Sequence, residues 1–134
     1  MPERRPPDDP KEWLNRARSD LLLARSLEPG IYLEDLSFHA QQAAEKAIKA
    51  LLIQRKIEFP YVHDISELLT RLENTGLRLP ESVRRSEILS RFAVFTRYPG
   101  VAPPVSQDEY EEAMALADEV VRWAQEQLEG RGGN

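Results

Sequence analysis

The stretch YLEDLSFHAQQAAEKAIKALLIQRK, Tyr32 to Lys56, decides how this chain is read. Leu33, Leu36, Ala40, Ala43, Ala44, Ala47 and Leu51 recur at spacings of three and four. That period gathers them on one stripe of an α-helix roughly 37 Å long at 1.5 Å per residue, a core helix rather than a strand. The opposite side is unusual. Phe38, Gln42, Glu45, Lys49 and Ile53 form a second stripe, with His39 and Lys46 beside it, and this stripe is neither fully apolar nor fully solvated in character. Two readings fit it. One is a solvated face carrying a Glu45–Lys49 pair at i, i+4. The other is a subunit or partner interface through Phe38, His39, Gln42, Lys46, Lys49 and Ile53.

Working outward, prolines and glycines fall between periodic segments and divide the chain into helices. Upstream, residues 1–9 read as a flexible arm. Asp9-Pro10-Lys11-Glu12 then supplies an N-cap, a proline at the first helical position and a capping-box glutamate. Trp13, Ala17, Leu21 and Ala24 repeat at helical spacing until Glu28-Pro29-Gly30. Downstream, Asp64 caps a short helix that ends at Asn74, with Gly76 just past it. Pro80-Glu81 opens a fourth helix that Tyr98-Pro99-Gly100 closes. Ser106-Gln107-Asp108-Glu109 is another capping box, and it starts a last helix with Tyr110, Ala113, Ala117, Val120 and Ala124 on one stripe. Residues 130–134 read as a disordered tail. The pattern predicts an all-α, up-and-down bundle of four long helices and one short one over residues 10–129, with sequential helices antiparallel because their connections are short.

Composition removes several function classes. The 134 residues include no cysteine, so a disulfide scaffold, a thiolate zinc site and a cysteine nucleophile are excluded. With two histidines a histidine-based metal site is not expected either, and no cofactor is expected. A net charge of −5 argues against a general electrostatic grip on nucleic acid and leaves room only for a local basic patch. MPERRPPDDP lacks the apolar centre of a signal peptide, and no stretch is long and apolar enough for a membrane span. A cytoplasmic protein is expected.

Three blocks in order resemble the HEPN domain family: FHAQQAAEKAIKALL (Phe38 to Leu52), HDISELL (His63 to Leu69) and TRYP (Thr96 to Pro99). The resemblance covers Trp13 to Leu128. It implies a helical bundle, usually dimeric, and for small members a partnership with a minimal nucleotidyltransferase in toxin–antitoxin-like pairs. It also implies, for other members, metal-independent ribonuclease activity, and nucleotide binding for some. The ribonucleases share an Arg followed four to six residues later by His, one group for proton transfer at the 2′-hydroxyl and one cation for the developing phosphorane charge. This chain departs from that pattern. Neither Arg91 nor Arg97 is followed by His within six residues. The favoured reading is therefore a dimeric binding subunit, and the alternative is a divergent ribonuclease using Arg91 or Arg97 with His63.

The basic candidates cluster near the fourth helix. Arg84, Arg91 and Tyr98 are seven apart, which places them on one stripe of a continuous α-helix, and Arg97 lies beside them. They are the candidate phosphate, nucleotide, RNA or acidic-partner site, to which the planar guanidinium fork is suited. A solvated basic face is the simpler explanation of the same residues, and a cation in a last helical turn, as at Arg97, complements the helix dipole. His63 has a simpler role too, packing or bonding locally ahead of Asp64. From the resemblance, Tyr98 is also a candidate acceptor for nucleotidylation by the partner.

Overall fold

The computed structural model describes residues 3–59, 64–95 and 104–130. Its elements are α1 (Pro10–Ala24), α2 (Leu33–Gln54), α3 (Ile65–Glu73), α4 (Glu81–Arg85), a 3₁₀ helix (Ser86–Arg91), α5 (Phe92–Phe95) and α6 (Gln107–Leu128). No strand occurs among the described residues. The all-α bundle read from the periodicity is the fold.

The centre of the molecule is α2. Ala40, Ala43, Ala44, Ala47 and Ala50 are fully buried along it, and such small side chains let neighbouring helices approach closely. Gln41, Glu45, Ile48, Lys49 and Leu52, on its other sides, are buried as well. A helix buried nearly all round has neighbours on several sides. Here α1, α6, α3, α5 and the 3₁₀ helix all pack against it. α1 runs antiparallel to α2: Trp13 lies against Lys49 near one end, and Asp20 meets His39 and Lys46 further along. The stripe opposite the alanines is thus covered to a large extent by the chain's own first helix.

Local signals set the helix ends. The Asp9 carboxylate accepts from the Lys11 N–H at 2.9 Å, with Pro10 in the first turn. The expected capping box at Asp9 is not completed. The Glu12 carboxylate instead accepts from the Arg5 N–H at 2.8 Å, and the Asp9 N–H donates to the Pro6 carbonyl. Together with the Trp13 Nε1–H bond to the Pro7 carbonyl (2.7 Å), this folds residues 5–9 back onto α1. The box at Ser106 and Glu109 is complete. α2 ends in a Schellman motif: Lys56 takes the left-handed conformation (φ 58°), and the Ile57 N–H returns to the Leu52 carbonyl at 2.9 Å. α3, only 9 residues long, is too short to persist alone. It is held by Ile65, Leu68, Leu69 and Leu72, each fully buried, at about 1.5–3 kcal/mol per side chain.

The fourth helix departs from the expectation of one continuous α-helix. The 3₁₀ segment at Ser86–Arg91 breaks it. Ser86 is fully buried there and its hydroxyl donates to the Val83 carbonyl, so a small polar side chain bonds its own backbone where a continuing α-helix needs an apolar one. This break changes which way the arginines face.

Candidate functional site

Between Arg84 and Arg91 most steps turn by 120° instead of 100°, so the two side chains diverge by roughly a third of a turn from a shared stripe. The structure shows the divergence. Arg84 reaches back to α3, donating to Glu73 at 3.1 Å and to the Thr70 hydroxyl at 3.3 Å, with Glu87 at 3.9 Å. Arg91 reaches across to α6, donating to Glu109 Oε2 at 2.8 Å while its guanidinium lies 4.6 Å from the Phe92 ring centre. Arg85 pairs with Glu112 at 3.1 Å. Arg84, Arg85 and Arg91 are therefore each paired with a carboxylate on a neighbouring helix, and Arg84 and Arg91 do not share a face. Arg97, Tyr98 and His63 lie outside the described residues.

Glu109 has two tasks here. It accepts from the Ser106 N–H at 2.8 Å as half of the capping box and from Arg91 with its other oxygen. The Ser106 N–H, and then the Arg91 guanidinium, hold its carboxyl below the ordinary value of 4.5. The same end of the bundle carries a tie between two segments that are distant in sequence. The Ile65 N–H donates to the Ser90 hydroxyl at 2.9 Å. The chain two residues after His63 is thereby fixed to the residue before Arg91.

A second polar region lies along the α1–α2 seam. Asp20, nearly buried, accepts from Lys46 Nζ at 2.6 Å and faces His39 Nδ1 at 3.0 Å. Deeper in, Gln42 Nε2 donates to Gln41 Oε1 (2.8 Å), Gln41 Nε2 to Glu45 Oε1 (2.7 Å), and Lys49 Nζ to Glu45 Oε2 (2.7 Å). The Lys49 ammonium also sits 5.8 Å and 5.5 Å from the ring centres of Trp13 and Phe59, which meet edge to face. Of the residues expected at an interface, His39, Gln42, Lys46 and Lys49 have partners within the chain, and Phe38 and Ile53 are half-buried. A hollow of about 360 Å³ opens beside the seam, lined by Arg5, Pro7, Glu12, Trp13, Arg16 and Lys46.

Asp20, Trp13, Glu12 and Gln41 are not among the candidates that the sequence singles out, although they build this seam. For Asp20 a signal is present. It lies three residues after Ala17 and four before Ala24, a core position on α1, and a carboxylate there needs a partner. Gln41 sits between Ala40 and the Ala43–Ala44 pair, and its burial follows only once α2 is known to be covered on every side. Among the described residues no group of three or more His, Asp or Glu side chains is arranged to hold a metal.

The sequence profile of the HEPN domain matches residues 10–128. The chain belongs to the HEPN domain family. TT1696 from Thermus thermophilus is 33% identical, with a TM-score of 0.76 over 90% of this chain and 98% of its own. ST0689, an archaeal HEPN homologue, is 28% identical, with a TM-score of 0.71 over 94% and 98%. A HEPN domain protein of Thermotoga maritima, tm0613, shares the fold at 22% identity and a TM-score of 0.56, over 91% and 95%. No curated protein matches the chain. As a HEPN domain the molecule is a single bundle, and no described helix is long and apolar enough to cross a membrane.

Proposed function

We propose that this HEPN chain is a binding subunit that forms a homodimer and partners a minimal nucleotidyltransferase, in the manner of a toxin–antitoxin pair. The observation that carries this reading is Arg91. It has no histidine within six residues after it, and its guanidinium is committed to Glu109. A cation already held by a carboxylate and stacked on Phe92 suits a structural or docking role better than transition-state stabilisation. For the same reason, nucleotide or RNA binding at Arg84 and Arg91 requires phosphate to displace Glu73 and Glu109, an exchange of one anion for another. The test is co-expression with a nucleotidyltransferase from the neighbouring reading frame, followed by affinity purification through a tag on this chain. Stoichiometric co-elution is the expected result. A nucleotidyltransferase that passes through unbound refutes the partnership.

One observation favours a second reading, a divergent ribonuclease using Arg91 and His63. It is the Ile65–Ser90 bond, which ties the chain next to each of these residues together. Incubating the protein with total RNA, alongside Arg91→Ala and His63→Ala variants, separates the readings. Cleavage that both substitutions abolish establishes the enzyme. Intact RNA leaves the binding subunit.

A further inference from the structure

Six large apolar side chains stand exposed among the described residues, and five of them fall within residues 22–32. Leu22 is 64% exposed, Leu23 47%, Leu27 51%, Ile31 38% and Tyr32 72%. They occupy one corner, where the last turns of α1 pass through a tight connection into α2. That connection is ordered by the chain itself. The Leu27 N–H donates to the Arg25 carbonyl, the Ile31 N–H to the Glu28 carbonyl, and the Ser26 hydroxyl to the Leu22 carbonyl. At roughly 200 Å² for a fully exposed residue of this size, the five present on the order of 500 Å² of surface, most of it apolar. That is the upper end of what a monomer leaves uncovered, and most of the ~800 Å² each partner contributes to a standard interface.

The charges around this corner indicate what covers it. Arg18, one turn before Leu22, flanks it on the α1 side, and Glu28, Glu34 and Asp35 flank it on the connection and the α2 side. None of these four has an ion-pair partner among the described residues, whereas nearby Arg25 and Arg122 are both bound to Asp118. A rim with an unpaired cation on one side and unpaired carboxylates on the other is complementary to itself under a two-fold rotation. The three carboxylates outnumber the single unpaired cation of this rim, which disfavours an anionic lipid surface or nucleic acid. We propose that a second copy of this chain covers the Leu22–Tyr32 corner, Arg18 of each copy facing the Glu34–Asp35 edge of the other. This inference rests on the dimer reading above and supplies its surface, in place of the Phe38 stripe, much of which α1 already occupies.

Sedimentation velocity of the full chain across a concentration series tests it, with circular dichroism on each variant. The wild type is expected to be a dimer. Leu22→Glu/Tyr32→Glu is expected to weaken the dimer at least about a hundredfold while staying helical, because both side chains lie mostly in solvent. Arg18→Glu alone is expected to weaken it about tenfold, and Arg18→Glu/Asp35→Arg to recover that loss by restoring the pair with its charges exchanged. Should the Leu22/Tyr32 variant lose helicity, the Arg18 pair of variants decides. Dimers that survive Leu22→Glu/Tyr32→Glu but fall apart on Phe38→Glu overturn the corner and leave the dimer reading standing. A wild type that is monomeric at every concentration overturns both, including the case in which only a different protein covers the corner.

Discussion

Replacing Lys49 by methionine isolates the most deeply buried ion pair among the described residues. The Lys49 and Glu45 side chains are 8% and 3% exposed and 2.7 Å apart. Methionine keeps the length of the side chain and its contact with Trp13 and Phe59 but removes the ammonium. Glu45, itself 2% exposed, then keeps the Gln41 amide as a donor but loses the Lys49 ammonium. Breaking one side of a buried pair costs about 3–5 kcal/mol. Total stabilities of single domains are about 5–15 kcal/mol, so the loss is a large fraction, and it lowers Tm by roughly 10 °C or more. By contrast Arg122→Met removes an exposed pair with Asp118, where about 0–1 kcal/mol is at stake. Urea titrations followed by circular dichroism give both values, provided protomer concentration is held fixed against linkage to dimerisation. The double variant Glu45→Gln/Lys49→Met removes both charges and leaves the Gln41 bond possible. It is expected to recover about 2 kcal/mol or more of the single-variant loss, a coupling that only contacting residues show. If Lys49→Met costs less than about 1 kcal/mol, or the two substitutions simply add, the seam is not the charged core described above.

Four smaller effects follow from the helix ends and their ties. Tyr110→Phe removes the buried hydroxyl that donates to the Ala24 carbonyl at 2.7 Å, and is expected to cost about 1–3 kcal/mol in the same titration. Ser106→Ala breaks the capping box and should cost about 1 kcal/mol, with faster amide exchange confined to the first turn of α6. Lys56→Gly relieves the left-handed backbone at the end of α2 and should raise stability by up to about 1 kcal/mol; no gain would mean that this conformation costs nothing there. Glu12 and Glu109 are both held below 4.5, chiefly by the N–H groups of Arg5 and Ser106. Their folded values lie under their unfolded ones, so their contribution is complete above about pH 4.5 and disappears as pH falls through the lower folded values. A urea midpoint that declines over that window in the wild type, and less steeply in Glu109→Gln, is the expected result.

How much is legible in the sequence depends on whether a feature is local. The period of Leu36, Ala40, Ala47 and Leu51, the stops at Pro29-Gly30 and Gly76, the Asp64 cap and the Ser106 box are each set by residues within one or two turns, and these are present in the structure. The break in the fourth helix is not legible, because nothing in ESVRRSEILSR forbids an α-helix and the burial of Ser86 depends on its tertiary neighbours. The basic stripe fails with it, since its geometry assumes seven unbroken α-helical steps. The carboxylates that neutralise the arginines come from α3 and α6, at sequence distances of 11, 18 and 27 residues, where no spacing rule applies.

The second stripe of α2 joins these observations into one account. Its mixture of aromatic, amide and charged residues signals a covered face, and the cover turns out to be largely α1, which brings its own charge, Asp20, and its own ring, Trp13. A helix that spends its inner face on such a seam must turn another face outward. On α1 that outward face ends in Leu22 and Leu23, with Leu27 just past the helix, the part of the segment with the most exposed apolar area. Glu12, Arg16 and Asp20 of α1 are paired inside the chain, and the exposed apolar side chains at its end are not covered by it. A partner seeking an apolar anchor therefore finds it at the α1–α2 corner rather than on the polar stripe of α2.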